Sequence, residues 1–245
     1  MEWNNMKYGL QMYSVRDITK DDLLGAIEKV GALGYHYAEF AGFFGVPAEQ
    51  VKAKLDECGM EVSSTHTGWQ ELTEDRIAET IAYHKTIGNS FIIIPGADLS
   101  TQEKLDEFIA LVNKAQPVLA EAGIKLGYHN HAHEFKANED GSLIYEQLKS
   151  RTGMELEIDT YWAYVGGQDP IAMMHELKDR VHIIHIKDGS ADGHGTPLGL
   201  GTAPAAEVYK TAVEMGIQLI VESETCTPSG LDEARVCMEF LKAQE

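Results

Sequence analysis

The chain has 245 residues, of which 39 are Asp or Glu and 20 are Lys or Arg, so its formal net charge at neutral pH is −19. This charge repels a nucleic-acid backbone and argues against a nucleic-acid partner. The apolar fraction of 44% is ordinary for a folded domain and excludes a disordered or membrane-embedded chain, and the length suits one closed α/β barrel.

Short apolar or β-branched runs alternate along the chain with stretches of helical periodicity. The runs predict strands at 8–13, 37–41, 61–66, 91–95, 124–129, 156–159, 182–187 and 218–222. Helices are predicted at 22–33, 74–87, 103–122, 170–177 and 203–215. A glycine follows several helical segments and is typical of a left-handed residue that ends a helix: Gly34, Gly59, Gly88, Gly123 and Gly216.

Alternation of strands and helices is compatible with a closed barrel or with an open doubly wound sheet. The first strand is not followed by a glycine-rich dinucleotide or phosphate motif, which disfavours the open sheet. We therefore predict an α/β protein made of a single (β/α)8 barrel domain over residues 1–245. The longest irregular loops after strands, 129–142, 160–169 and 187–203, are expected to form the active face.

Four successive predicted strands late in the chain end in side chains that can bind a metal: His129, Asp159, His185 and Glu222. A buried carboxylate or imidazole is unfavourable unless it is paired or bound to a metal, and two histidines with two carboxylates suit a divalent transition metal. Because the strand ends of a barrel meet at one face, these residues predict one divalent-metal site.

The sequence around these positions resembles the xylose-isomerase-like TIM-barrel superfamily of sugar isomerases and epimerases, which also contains inosose dehydratases and endonuclease IV. The resemblance runs from the first predicted strand to the last. Its most specific segments are Tyr-His-Asn-His at 128–131 with Glu-Phe at 134–135, Asp-Thr-Tyr-Trp at 159–162 with Gly-Gly at 166–167 and Asp-Pro at 169–170, and His-Ile-Lys-Asp at 185–188.

The resemblance implies one bound divalent ion, Mn²⁺, Zn²⁺, Co²⁺, Fe²⁺ or Mg²⁺, held at the positions of His129, Asp159, His185 and Glu222. The epimerases of this superfamily place a glutamate on the fifth strand as ligand and base, whereas this chain has His129 there. Their symmetric mechanism with two glutamates therefore does not carry over intact. Asn130 and His131 remain alternatives for the residue that faces the metal, because a one-residue shift turns a side chain to the other face.

These features predict a metal-dependent sugar isomerase or epimerase that acts on a keto-sugar or polyol ketone through an enediolate. The preferred base is Glu222, and His131 or Glu134 is expected to return or relay the proton. If a β-hydroxyl or β-glycoside leaves instead, the reaction is an elimination, so a metal-dependent lyase or dehydratase is the alternative. A barrel that binds sugar without turnover also remains open.

Four further side chains are candidates for substrate binding: His66, Lys187, Trp162 and Gln11. His66 ends the third strand and either contacts the substrate or makes a structural hydrogen bond. Lys187 either orients a substrate oxygen or forms a salt bridge near its strand end. Trp162 is the preferred aromatic wall for a sugar ring, and Gln11 and Glu39 are candidates for hydroxyl contacts at the barrel mouth.

The expected partner is a small sugar or polyol, and the exposed helices of barrels make a homo-oligomer possible. Residues 1–7 show neither the basic start nor the apolar stretch of a secretion signal, and no window approaches the ~18 apolar residues of a membrane span. Three scattered cysteines fit a reducing compartment. A cytoplasmic protein is therefore expected, without membrane contact.

Overall fold

The computed structural model of the protein describes residues 6–245, whose strands form a closed barrel of eight parallel strands. Each strand pairs with its neighbours in sequence, and the first strand closes the ring because Gly9 lies in register with both Tyr37 and Ile220. The predicted (β/α)8 barrel is therefore confirmed. The prediction that residues 1–7 hold no secretion signal falls mainly outside the described residues.

The barrel strands, numbered here in chain order, begin and end within two residues of the predicted limits. They are β1 Gly9–Gln11, β2 Tyr37–Phe40, β3 Glu61–His66, β4 Phe91–Ile94, β5 Lys125–His129, β6 Glu155–Asp159, β7 Ile183–Ile186 and β8 Gln218–Val221. A two-residue antiparallel ribbon, formed by Asp188–Gly189 and Gly195–Thr196, lies in the loop between β7 and β8.

Helices connect the strands. They are α1 Arg16–Thr19, α2 Leu23–Ala32, α3 Ala48–Cys58, α4 Ile77–Ile87, α5 Gln102–Glu121, α6 Ile144–Arg151, α7 Thr160–Val165, α8 Pro170–Glu176, α9 Ala205–Met215 and α10 Gly230–Gln244. The glycines predicted to end helices all have positive φ. Within residues 6–245, no helix combines the length and the apolar character that crossing a membrane requires.

One predicted loop is wrong in part, because the first six residues of 160–169 form α7. Asp159 is the last residue of β6, and its carboxylate accepts a hydrogen bond from the Trp162 backbone N–H at 2.7 Å, which caps α7. The strand end and the helix start are therefore fixed by the same side chain.

The lower part of the barrel interior is an apolar layer made of Phe91, Ile93, Ile183 and Ile220. Gly9 leaves room for this layer, since a Cβ there would lie 2.2 Å from Cδ1 of Ile220. The layer closes the barrel beneath the polar strand ends, so it supports the floor of the site described below.

Replacement of Ile93 by Ala should lower the free energy of unfolding by about 2 to 5 kcal/mol, because it opens a cavity in a fully buried layer. The matched control is Val118→Ala on α5, where the side chain is 43% exposed and the expected change is within about 0.5 kcal/mol. Urea unfolding of both variants provides the measurement, and equal effects would contradict the assigned layer.

Candidate metal and substrate site

The four residues predicted to bind a metal lie together at the carboxyl ends of β5 to β8. One ligand atom from each of His129, Asp159, His185 and Glu222 lies within 4.8 Å of the others, and all four side chains are buried. The register of the sheet accounts for this arrangement, since Asp159 of β6 lies beside His185 of β7.

The end of β5 shows which of its residues reaches this cluster. Asn130 turns to the neighbouring strand, where its amide exchanges hydrogen bonds with the backbone of Asp159 at 3.2 and 3.3 Å. His129 points into the barrel, and its Nε2 lies 3.4 Å from Oδ2 of Asp159. His131 lies above, in the lining of the cavity. His129 is therefore the β5 residue that belongs to the buried cluster.

His185 joins the cluster to a second polar layer below it. Its Nε2 lies 2.5 Å from Oε2 of Glu39, and its Nδ1 lies 3.2 Å from Oε2 of Glu222. Burial opposes a charge on this ring, but the carboxylates of Glu157, Glu39 and Glu222 outweigh it and hold the pKa of His185 well above its usual value. The ring is thus oriented with Nδ1 toward the cluster and Nε2 toward Glu39.

The second layer consists of polar side chains that bond to one another. Glu39 accepts hydrogen bonds from Gln11 Nε2 at 2.8 Å and from Ser64 Oγ at 2.6 Å. His66 Nε2 lies 2.8 Å from Oε2 of Glu157. Gln11 is fully buried in this layer, away from the barrel mouth where the sequence suggested it, and its role in substrate binding stays a prediction.

Glu157 was missed by the sequence analysis, although a signal for it exists. It lies two residues before Asp159 on the same strand, so the alternation of a β-strand turns both side chains into the barrel. Burial and the charge of Glu39 raise the pKa of Glu157 to about 7. Glu157 therefore adds less negative charge to the interior than its neighbours do.

Lys187 is fully buried and forms the salt bridges that its position at a strand end suggested. Its Nζ lies 2.8 Å from Glu224, 3.2 Å from Glu222 and 3.9 Å from Asp159. It also lies 5.0 Å from the ring centroid of Trp162. Contact of Lys187 or Trp162 with a substrate stays a prediction.

The two remaining catalytic candidates, His131 and Glu134, both lie in the loop after β5 but face different surroundings. Glu134 is fully buried and accepts hydrogen bonds from the Tyr128 hydroxyl at 2.9 Å and from the His131 backbone N–H at 2.8 Å. His131 is partly exposed, and burial together with His129 lowers its pKa to about 4. His131 thus reaches the cavity as a neutral ring, while Glu134 fixes the loop behind it.

A cavity of about 380 Å³ opens above the cluster. Among the predicted residues it exposes His66, His129, His131 and Glu222, whereas Asp159 and His185 are fully buried. The complete lining is Tyr13, Ala41, His66, Pro95, His129, His131, Glu222 and Glu224. The volume suits a small polar molecule better than a polymer.

Several buried polar atoms in the cluster have no hydrogen-bond partner among residues 6–245: both ring nitrogens of His129, Oδ2 of Asp159 and Oε1 of Glu157. Unpaired buried polar atoms are unfavourable and need a reason. Burial and the charge of His185 hold the pKa of His129 well below its usual value, so the ring presents a free lone pair. Together with the carboxylates, these atoms suit a cation.

A second grouping, His66, His129, Glu157 and His185, also has its ligand atoms within 4.8 Å of one another. It is less suited to an ion, because the His185 Nε2 that lies 3.4 Å from Glu157 already bonds to Glu39, a residue outside the grouping. The upper grouping, with Asp159 and Glu222, therefore fits a cation better.

Comparisons with known proteins agree with this architecture. The model of the xylose isomerase-like TIM barrel family matches residues 27–244. An inosose dehydratase of Geobacillus kaustophilus (strain HTA426) is 24% identical over 194 residues, which cover 69% of this chain and 62% of that relative, less than two thirds of its length.

Two solved structures share the fold. A sugar phosphate isomerase/epimerase from Parabacteroides distasonis ATCC 8503 has a TM-score of 0.83 and 24% identity, covering 96% of this chain and 97% of that one. A probable 3-DHS dehydratase from Bacillus anthracis has a TM-score of 0.78 and 14% identity, covering 97% and 99%. Isomerases, epimerases and dehydratases are thus all built on this barrel.

Replacement of Glu39 by Gln should lower the free energy of unfolding by about 3 kcal/mol, because it leaves the buried charge of His185 without its closest partner. Glu57→Gln is the control, since this carboxylate pairs with Lys54 on the surface and is 66% exposed. Its expected effect is below about 1 kcal/mol. Urea unfolding at neutral pH would contradict the pairing if both variants lost the same stability.

Proposed function

The chain belongs to the xylose isomerase-like TIM barrel family, and from this premise we propose that it is a divalent-metal-dependent sugar isomerase or epimerase. Its proposed reaction removes a proton next to the carbonyl of a keto-sugar or polyol ketone. The observation that carries the proposal is the buried cluster of His129, Asp159, His185 and Glu222, with unpartnered ligand atoms beneath a cavity of small-molecule size.

In the proposed site these four residues hold one divalent ion. His129 offers an unprotonated ring and Asp159 offers a free carboxylate oxygen. His185 turns Nδ1 toward the cluster while Glu39 holds its other nitrogen, and it would bind the ion by giving up the Nδ1 proton. A carboxylate behind a ligating histidine is the usual support in such sites. When bound, the ion supplies Lewis acidity at the substrate carbonyl and stabilises the negative charge of an enediolate.

Glu222 is the proposed base. Its carboxylate lines the cavity, and although burial opposes its charge, Lys187 and His185 outweigh burial and hold its pKa well below the usual value. Glu222 is therefore ionised at neutral pH and can accept a proton from a carbon made acidic by the neighbouring carbonyl. Lys187 keeps this carboxylate in place through the contact at 3.2 Å.

His131 is the proposed second proton carrier. It lines the same cavity from the loop after β5, three strands around the barrel from Glu222. With a pKa of about 4 its ring is neutral at pH 7, so one nitrogen accepts a proton and the other donates one. Glu134 has a positioning role, because it holds the backbone N–H of His131 from the buried side.

A dehydratase is the second candidate. The relative named inosose dehydratase favours it, and so does the unequal pair of proton carriers, one carboxylate and one neutral imidazole. Both reactions begin with removal of the same proton. They differ in whether the proton returns to carbon or a β-hydroxyl leaves as water.

Glu222→Gln should slow solvent deuterium incorporation into a ketose or inosose substrate by at least about 100-fold, because the amide cannot accept the proton. His131→Asn should retain more of the exchange than of product formation, since the first step uses Glu222. Mass spectrometry of substrate and product in D₂O measures both rates and also shows whether water is lost.

The control for these variants is His175→Asn. His175 lies exposed in the last turn of α8, away from the cavity lining, so exchange and product formation should both be unchanged. Absence of exchange in every ketose and inosose tested, with metal supplied, would refute proton abstraction and favour a barrel that binds sugar without turnover. Loss of water without return of the proton would establish the dehydratase.

The purified chain should contain about one divalent ion, measured by elemental analysis after equilibration with Mn²⁺, Zn²⁺ or Co²⁺. His129→Ala and His185→Ala should each lose it. His182→Ala is the matched control, since this histidine precedes β7 and its side chain is 46% exposed. Full metal content in both cluster variants would contradict the proposed ligand set.

A further inference from the structure

Phosphate groups are bound in barrels of this type by the loops after the seventh and eighth strands, through backbone N–H groups and the start of a helix. In this chain both loops lie beside the cavity, because they follow β7 and β8 directly. If these N–H groups already donate hydrogen bonds to acceptors within the chain, they are not available to bind an anionic group of a substrate.

The loop after β7 wraps its backbone N–H groups around the buried carboxylate of Asp188. Oδ1 accepts hydrogen bonds from Gly189 at 2.8 Å and Ala203 at 3.1 Å, and Oδ2 accepts them from Gly199 at 2.9 Å and Gly201 at 3.1 Å. A Cβ on Gly201 would lie 2.2 Å from Oδ1 of Asp188, so the fit is close. The chain's own carboxylate fills the cradle that an anion would need.

The loop after β8 is filled in the same way by Glu233. This buried carboxylate accepts hydrogen bonds from Ser223 Oγ at 2.6 Å, from the Thr227 N–H at 2.9 Å and from the Thr225 hydroxyl. At the start of α10, the N–H of Gly230 bonds to a carboxylate oxygen of Asp17 at 3.2 Å. Donors on this loop are thus also committed to internal carboxylates.

The side chains at the cavity give the same result. Among the described residues, its lining contains the carboxylates of Glu222 and Glu224 but no lysine or arginine. Two cations lie next to the lining and are held by the chain itself: Lys187 lies 2.8 Å from Glu224, and Arg16 donates to the backbone carbonyls of Tyr13 and Glu224. Away from the proposed metal position, an anionic group on a substrate would meet the carboxylate of Glu224 and no lysine or arginine of the lining.

We infer that this cavity takes an uncharged ketose or polyol ketone and discriminates against substrates that carry a phosphate or carboxylate group. The inference rests on the proposed function, since it names the substrate class of the same site. It follows from two independent sets of contacts: the internal carboxylates that accept from the N–H groups of the two loops, and the internal contacts that hold Lys187 and Arg16 next to the cavity.

The test measures binding separately from turnover. Calorimetry on the full chain, with Mg²⁺ and again with a chelator, compares inorganic phosphate, D-fructose with D-fructose 6-phosphate, and D-xylulose with D-xylulose 5-phosphate. With the chelator present, phosphate should show no saturable binding up to millimolar concentration, and in both conditions each phosphorylated sugar should bind at least about tenfold more weakly than its neutral partner.

Saturable binding of phosphate at or below millimolar concentration in the presence of the chelator, or binding of a phosphorylated sugar as tight as that of its neutral partner, would overturn the inference. If the neutral ketoses and inososes bind but none of them exchanges deuterium with metal supplied, the proposed reaction is refuted and the charge discrimination still stands. The two failures are therefore distinguishable.

A charge variant makes the test sharper. Glu224→Gln removes one negative charge beside the cavity and releases a contact of Lys187, so the preference for the neutral sugar should fall about fivefold. Glu214→Gln removes the same charge from the last turn of α9, at the opposite end of the barrel, and should leave the preference unchanged. If both variants lowered the preference equally, the net negative charge of the whole chain would be its cause, and discrimination by the charges beside the cavity would be contradicted.

Discussion

Pairing of charged side chains that are buried inside the barrel is the constraint on which the rest of the structure depends. A carboxylate or an imidazolium removed from water is strongly unfavourable unless an opposite charge or a donor lies beside it. Glu39, His185 and Glu222 satisfy one another in a chain of contacts that crosses the barrel from β2 through β7 to β8. Lys187 closes this chain from above by contacting Glu222.

This pairing also determines where a ligand is needed. Among residues 6–245, most ionisable groups near the strand ends have a hydrogen-bond partner, but both ring nitrogens of His129 and Oδ2 of Asp159 have none. Both residues end barrel strands, and His129 also lines the cavity, so these unpartnered atoms lie between the paired layer and the opening. A cation placed there completes the pairing, which is why the proposed metal site follows from the interior and not only from the family.

The strand limits, the helix-ending glycines and the four cluster residues were predictable, because each has a local signal in the sequence. The contacts of His66 with Glu157 and of Glu39 with His185 were not, since they join β3 to β6 and β2 to β7 across the interior. Such pairs depend on the closure and register of the whole barrel. The hydrogen bonds around Asp188 could not be predicted either, because their donors are backbone N–H groups spread over a glycine-rich loop.

His129 changes the charge balance of the proposed site. With histidine on β5, the carboxylates of Asp159 and Glu222 together match the charge of one divalent ion, whereas a third carboxylate would exceed it and weaken its pull on a substrate carbonyl. The same histidine takes the place of a carboxylate base on β5, so in the proposed reaction Glu222 and the neutral ring of His131 carry the protons. Because one group is a carboxylate and the other a neutral imidazole, the proposed forward and reverse proton transfers are unequal. This arrangement suits a 1,2-shift or a loss of water better than an epimerisation that is symmetric in both directions.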